Sequence, residues 1–205
     1  MIQMNLSLET KAKYACLYAG AVWGLFWIPL RELEDAGFQG LWITVVYFLI
    51  PALCLFPLTI WRWKYVKRGG FRLQLTAIIS GCALLLYSTS IVYTDVVRAI
   101  LLFYLTPVWG IILGRIFLGD KISTPRIIAM ILAIIGMLTI FGLGAKFPLP
   151  QNLGDWLGLC SGFMWAIAMV LINKNKNHST IELTVGFFQW SLILSLFAAV
   201  LLSPD

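Results

Sequence analysis

Side chains able to do covalent chemistry are scarce in this chain of 205 residues. Its single histidine, His178, lies beside Asn177 and Ser179 in a short polar stretch, and no soluble domain large enough for an enzyme surrounds it, so no catalytic residue is expected. The four cysteines, Cys16, Cys54, Cys82 and Cys160, fall inside apolar runs without metal-ligand spacing, which points to small packing residues and to neither a metal nor a cofactor. What remains is the chemistry of non-covalent contact. Trp23, Trp27 and Trp165 offer aromatic faces, Met169 a thioether and Tyr104 a hydroxyl; Pro107 lacks an amide hydrogen and so frees the carbonyl of Phe103; Gln189 brings an amide into an otherwise apolar run. Groups of this kind can hold a small solute.

The elements that must position them are hydrophobic. The chain is 60% hydrophobic and 12% charged, far more apolar than one globular core could bury, so a lipid solvent is implied. About 20 apolar residues are needed to span the hydrocarbon core as a helix. Seven such runs are readable, approximately Tyr14 to Leu30, Leu41 to Trp61, Leu73 to Val92, Val97 to Leu118, Arg126 to Leu143, Leu153 to Ile172 and Leu183 to Leu202. The alternating polarity of a membrane barrel is absent, so the expected fold is an all-α integral membrane bundle of about seven transmembrane helices. The first run continues into Arg31, Glu32, Glu34 and Asp35 without a small-residue cleavage pattern, which marks a retained helix rather than a signal peptide.

A net charge of +6 would suggest nucleic acid in a soluble domain, but the placement of the basic residues points to the bilayer instead. With a cytoplasmic amino terminus, twelve of the fifteen lysines and arginines fall on the inner side, leaving only Arg31, Arg98 and Lys146 outside. That bias sets orientation during insertion, so a multi-pass protein of the cell (inner or plasma) membrane with its amino terminus inside is expected. Trp61, Trp63 and Tyr65 at the inner end of the second run, and Trp42 at its outer end, suit interfacial anchoring.

The runs also repeat. Cys16, Gly20, Trp23, Gly24 and Trp27 match Gly158, Gly162, Trp165, Ala166 and Met169 at an offset of 142, and the segment from Ile43 to Phe48 matches that from Leu183 to Phe188 at an offset of 140. Five helices separate each residue from its counterpart, so the copies enter the membrane from opposite sides, a pattern associated with transporters that bind solute near the midplane. At about 100° per residue, Cys16, Gly20, Gly24, Trp23 and Trp27 share one side of the first helix, which is expected to face protein. In the fourth helix the side bearing Phe103, Pro107, Gly110 and Gly114 is expected to pack, leaving Arg98 opposite as a snorkelling interfacial anchor paired with Asp95. No acidic residue stands mid-span; Asp95 and Glu32, near the outer boundary, come closest.

The stretch from Val96 to Ser123, VVRAILLFYLTPVWGIILGRIFLGDKIS, resembles the fourth helix of the EamA family in the drug/metabolite transporter superfamily, with Pro107 preceding the Gly119, Asp120 and Lys121 ending. RIIAMILAIIGMLTIFG, through Gly136, is similar to the family's fifth helix. The resemblance covers essentially the whole chain. It implies two inverted five-helix repeats that export or import small metabolites, amino acids or drugs. On that frame residues 1–145 are a complete first repeat and 146–205 the first two helices of a second, seven of the usual ten; restoring the counterparts of Leu73 to Leu143 would give roughly 280 residues. The expected function is therefore a secondary transporter working by alternating access, with Trp23, Trp27, Tyr104, Pro107, Trp165, Met169 and Gln189 as cavity candidates. Its partners would be the lipid bilayer and a small-molecule solute, with a coupling ion or a second copy of the chain left open and nucleic acid excluded. The rival readings are a truncated or partner-dependent fragment and, from another class, a seven-helix sensor.

Overall fold

Proline placement decides where the first membrane segment breaks. In the computed structural model, which describes residues 8–120, 123–141, 150–176 and 178–202, the segment expected as one helix from Tyr14 to Leu30 is two: α1 (Leu8–Gly24) and α2 (Trp27–Asp35). Pro29 cannot donate to the carbonyl of Leu25 and its ring crowds that carbonyl. The chain tightens there into three-residue hydrogen bonds, Leu25 N to Val22 O and Ile28 N to Leu25 O, before α2 resumes.

The same device acts in the fourth segment, where the expected kink is a full break. α5 (Val96–Phe103) and α6 (Thr106–Leu118) are separated at Tyr104 and Leu105, and the Phe103 carbonyl that Pro107 leaves free accepts the Thr106 hydroxyl at 2.5 Å. α3 (Leu41–Trp61), by contrast, continues through Pro51 and Pro57.

α4 (Trp63–Tyr93) begins ten residues before the expected third span, because the basic segment after α3 is itself helical up to a sharp turn at Gly70, whose φ of 54° is open to glycine at little cost. α7 (Thr124–Phe141), α8 (Leu153–Lys174) and α9 (Thr180–Leu202) complete the described helices. No strand occurs among the described residues, and the protein is an all-α membrane bundle. Among the described residues, five stretches are long and apolar enough to cross a membrane: α3, α4, α5 with α6, α8 and α9. The first and fifth expected spans appear instead as the broken α1–α2 pair and α7. The loop position Lys146, the residues past Phe141 in the fifth span, Lys121, and the terminal Pro204 and Asp205 lie outside the described residues.

α4 is the hub. It packs along α8 and α9, its buried face built from small and hydroxylic residues, Ala77, Ser80, Gly81, Ala83 and Ser88. Ser80 and Ser88 donate to the carbonyls of Thr76 and Leu84 one turn back, so their polarity is satisfied within the helix. Small faces of this kind let backbones approach in a solvent that gives helices no hydrophobic reason to associate. A Cβ on Gly81 would fall 2.9 Å from the Ser191 amide nitrogen of α9, and one on Gly158 of α8 would fall 2.8 Å from Ser90 Oγ.

α3 and α9 run antiparallel. Leu41 and Val45 at one end of α3 pack on Ala199, while Thr59 and Arg62 at its other end meet Gln189 and Glu182. The bundle therefore has two distinct ends: Arg31, Arg98 and Asp155 mark one, and Arg62, Lys174 and Glu182 the other.

Candidate solute cavity

The two helix breaks meet. Trp23, the second residue before the first break, lies 5.9 Å ring to ring from Phe103, the last residue before the second, and 6.2 Å from Trp165 of α8. Tyr87 of α4 stacks on Trp23 at 5.5 Å with the rings 13° from parallel, and Phe26 fills the corner between Trp23 and Tyr47. Offset aromatic pairs of this sort contribute ~0.5–1.5 kcal/mol each beyond simple burial. They make a stiff aromatic wall.

Beside that wall opens a cavity of about 420 Å³ bordered by Trp23, Tyr104, Pro107, Gly110, Trp165 and Met169. Its polar groups are few: the Tyr104 hydroxyl, on a side chain 53% exposed, and the Thr106 hydroxyl already committed to the Phe103 carbonyl. Among the described residues, no charged side chain borders it. A second hollow of about 220 Å³ shares Pro107, Gly110, Ala166 and Met169 with it and continues between α6 and α8 toward Asp120 and Asn173.

Five of the seven residues singled out in the sequence thus border one cavity: Trp23, Tyr104, Pro107, Trp165 and Met169. Trp27 does not. It packs against the buried cluster of Leu30, Tyr87, Ile91 and Phe103, behind the aromatic wall. Gln189 is also elsewhere, donating its amide to Thr59 Oγ1 and tying α9 to α3.

Other expectations are corrected. The glycine side of the fourth segment packs only in part: Phe103 and Gly114 are buried, whereas a Cβ on Gly110 would touch nothing within 4 Å, because that position borders the hollow. The small side of α1 does not pack; Cys16 is exposed, and Cβ atoms on Gly20 and Gly24 would likewise meet nothing. Trp23, Phe26 in the break and, past it, Trp27 and Leu30 of α2 turn inward. Cys54 and Cys160 are exposed too, so three of the four cysteines face outward instead of filling the interior.

Arg98 is not paired with Asp95. Asp95 caps α5, accepting from the amides of Val97 and Arg98. The Arg98 guanidinium reaches across to Asp155 of α8, Nη2 to Oδ2 at 2.5 Å and Nε to both oxygens at 3.2 Å. Asp155 is fully buried, and it also accepts from the Thr94 hydroxyl at 2.7 Å and the Gln151 amide at 2.9 Å. α4, α5 and α8 are thereby fastened at one end of the bundle, where Arg31 adds bonds to the Ile91 and Thr94 carbonyls.

At the opposite end a second cross-helix pair joins Arg62 to the buried Glu182. Helical-wheel reasoning on single helices missed both pairs. The available signal was scarcity: only nine residues are acidic, Asp155 and Glu182 stand in the first turns of the long apolar α8 and α9, and a carboxylate there needs a cation.

Residues 11–142 match the profile of the EamA-like transporter family, well over half of the chain, with the α1–α2 break and the whole α5–α6 pair inside the match. The chain belongs to that family. Among relatives, an uncharacterized transporter of Helicobacter pylori (strain ATCC 700392 / 26695) is 20% identical over 166 residues, which cover 79% of this chain and 52% of the relative. Protein RarD of Escherichia coli (strain K12) is 25% identical over 136 residues, 60% of this chain and 43% of RarD. The chain spans about half the length of these curated relatives. EamA membership accords with the membrane-crossing helices and with an element order in which both helix breaks fall inside the matched region.

Proposed function

We propose that this chain carries a small solute across the cell membrane as a secondary transporter, with the cavity between Trp23 and Trp165 as the solute's station. The observation that carries the reading is the meeting of two broken helices with α8 around one cavity close to the middle of the spans. Interrupted helices are how transporters bring irregular backbone to a binding site without exposing it to lipid. Trp23 and Trp165 come from segments related by the internal repeat, so residues 1–145 and 146–205 each contribute one wall. Rocking of one repeat against the other would open the cavity to alternate sides.

The lining favours particular chemistry. Aromatic faces, a thioether and one hydroxyl, without a charged partner, suit a planar or partly apolar solute that is neutral or cationic, since a cation gains from the ring faces and an anion finds no counter-charge. Uptake and efflux of radiolabelled aromatic amino acids and aromatic cations by vesicles containing the full chain test this. Trp23→Ala and Trp165→Ala should each lower flux about tenfold, the equivalent of ~1.4 kcal/mol, with insertion intact. Unchanged flux in both variants removes the cavity from the pathway.

The Arg62 end is assigned to the cytoplasm, because Arg62, Lys64, Lys67, Arg68, Arg72 and Lys174 gather there against Arg31 and Arg98 at the other end. In a chain freed of its native cysteines, Lys67→Cys and Asp35→Cys should react with a membrane-impermeant thiol reagent from opposite sides. Reaction of both from one side would refute the assignment.

A further inference from the structure

A different cavity lies at the Arg62 end, and its chemistry is the reverse of the aromatic one. It measures about 590 Å³, and its lining includes Arg62, Arg68, Arg72, Lys174, His178 and Glu182. We propose that it holds a phosphate-bearing anion, presented by the headgroup of an anionic phospholipid or free in solution. The proposal does not depend on what the chain transports.

The charges do not balance within the cavity. Arg62 is committed to Glu182, whose side chain is almost wholly buried, and the Arg62 guanidinium is further held over the Tyr65 ring at 4.4 Å. Arg68, Arg72 and Lys174, the last lying over the Phe117 ring at 5.2 Å, remain, and among the described residues none has a carboxylate within ion-pair reach. Three like charges drawn to one concave surface from two separate helices repel one another unless an anion sits between them.

The backbone converges them. At Gly70 the φ of 54° and ψ of −152° swing the first turns of α4 away from the rest of the helix, so Arg68 stands on one side of the turn and Arg72 on the other, both lining the cavity. Lys174, the last residue of α8, closes it from the opposite wall.

Depth points to the headgroup layer. Trp61, Trp63 and Tyr65, all more than half exposed, ring the same end of the bundle at the position where aromatic anchors meet lipid headgroups. Basic pockets between helices on the cytoplasmic side are suited to anionic headgroups.

A general need for basic residues on the inner side would enrich this segment without building a cavity, and the segment itself supplies the control. Lys64 and Lys67 carry the same charge but do not line the cavity; Lys67 lies over the Trp63 ring at 5.5 Å. The full chain is placed in phosphatidylcholine nanodiscs and its melting followed with inorganic phosphate, and separately with phosphatidylglycerol added to the disc. Native mass spectrometry from detergent counts retained phosphatidylglycerol. Stabilisation by phosphatidylglycerol with lipid retention identifies a headgroup site, and stabilisation by phosphate alone identifies a soluble-anion site.

In either case Arg68→Gln/Arg72→Gln should weaken the effect about tenfold or more, while Lys64→Gln/Lys67→Gln leaves it in place. Lys174→Gln, on the other wall, supplies an independent loss should the arginine pair be needed for folding. A response to neither ligand, or equal loss from both double variants, overturns the proposal.

Discussion

α8 and α1 carry the same spacing of small residues and tryptophan and meet opposite surroundings. On α8, a Cβ at Gly158 or Gly162 would lie 2.8 Å from Ser90 Oγ or from the Phe103 carbonyl oxygen, so the glycines are what lets α4 and α5 come so close. On α1, Gly20 and Gly24 face nothing within 4 Å. The two tryptophans nonetheless arrive at one place, 6.2 Å apart. Small residues specify a surface that a neighbour can approach; they do not supply the neighbour.

The supply comes from a polar anchor. At the offset of 142 that aligns the copies, Asp155 of α8 corresponds to Lys13 of α1. Asp155 is buried and clamped by Arg98 and Thr94, whereas Lys13 pairs with Glu9 one turn away, both side chains more than 70% exposed. The largest expected effect therefore falls on the clamp. Asp155→Leu removes the carboxylate that the half-buried Arg98 guanidinium meets and should cost ~3–5 kcal/mol, read as a fall in the melting temperature of the purified chain in detergent. Lys13→Leu, breaking an exposed pair, should change stability by less than ~0.5 kcal/mol. Equal effects would mean that the clamp does not hold α8 in place.

Next in size is the packing contact itself. Gly162→Val drives side-chain atoms into the Phe103 carbonyl and the Thr106 hydroxyl, 2.8 and 2.9 Å from the new Cβ, and backbone cannot yield as a flexible side chain would. Overpacking of this order costs ~1–3 kcal/mol. Because Phe103 borders the aromatic cavity, flux should fall along with stability. A variant as stable as the parent would show that α5 can shift away from α8 at little cost.

How much of this was legible in the sequence follows from the same contrast. Most of the helices, their apolar character and a distortion ahead of Pro107 were readable, although a kink was expected where the helix breaks, because each depends on local covalent facts: run length, a missing amide hydrogen, an unfavourable ring position. Five of the seven residues singled out in the sequence border one cavity, since proline, tyrosine, tryptophan and methionine can be picked by type and helical side whatever stands opposite. The break at Pro29 follows from the same local rule and was there to be read. Which carboxylate meets Arg98 was not. Asp95 is three residues away and Asp155 fifty-seven, and only the approach of α8 to α5 decides between them. Gln189 and Trp27 fell outside the cavity for the same reason: a wheel gives the direction of a side chain on its own helix and is silent on which helix receives it.

The smallest expected effect is the sharpest test of the comparison. Gly20→Val adds a branched side chain at the position that aligns with Gly162, on a helix where Cβ atoms at Gly20 and Gly24 would meet nothing within 4 Å among the described residues. If the face of α1 is solvated by lipid, the substitution exchanges one lipid-exposed surface for another, and melting temperature and flux should both match the parent. Lipid chains reshape around a methyl group as a packed helix cannot, so the expected change is close to zero, well short of the ~1–3 kcal/mol at Gly162. A loss comparable to that of Gly162→Val would mean that a partner surface occupies α1 in the membrane and that the two copies differ less than their described contacts indicate. A null result places the distinction between them in the ion pair at Asp155, since the glycine spacing is the part they share.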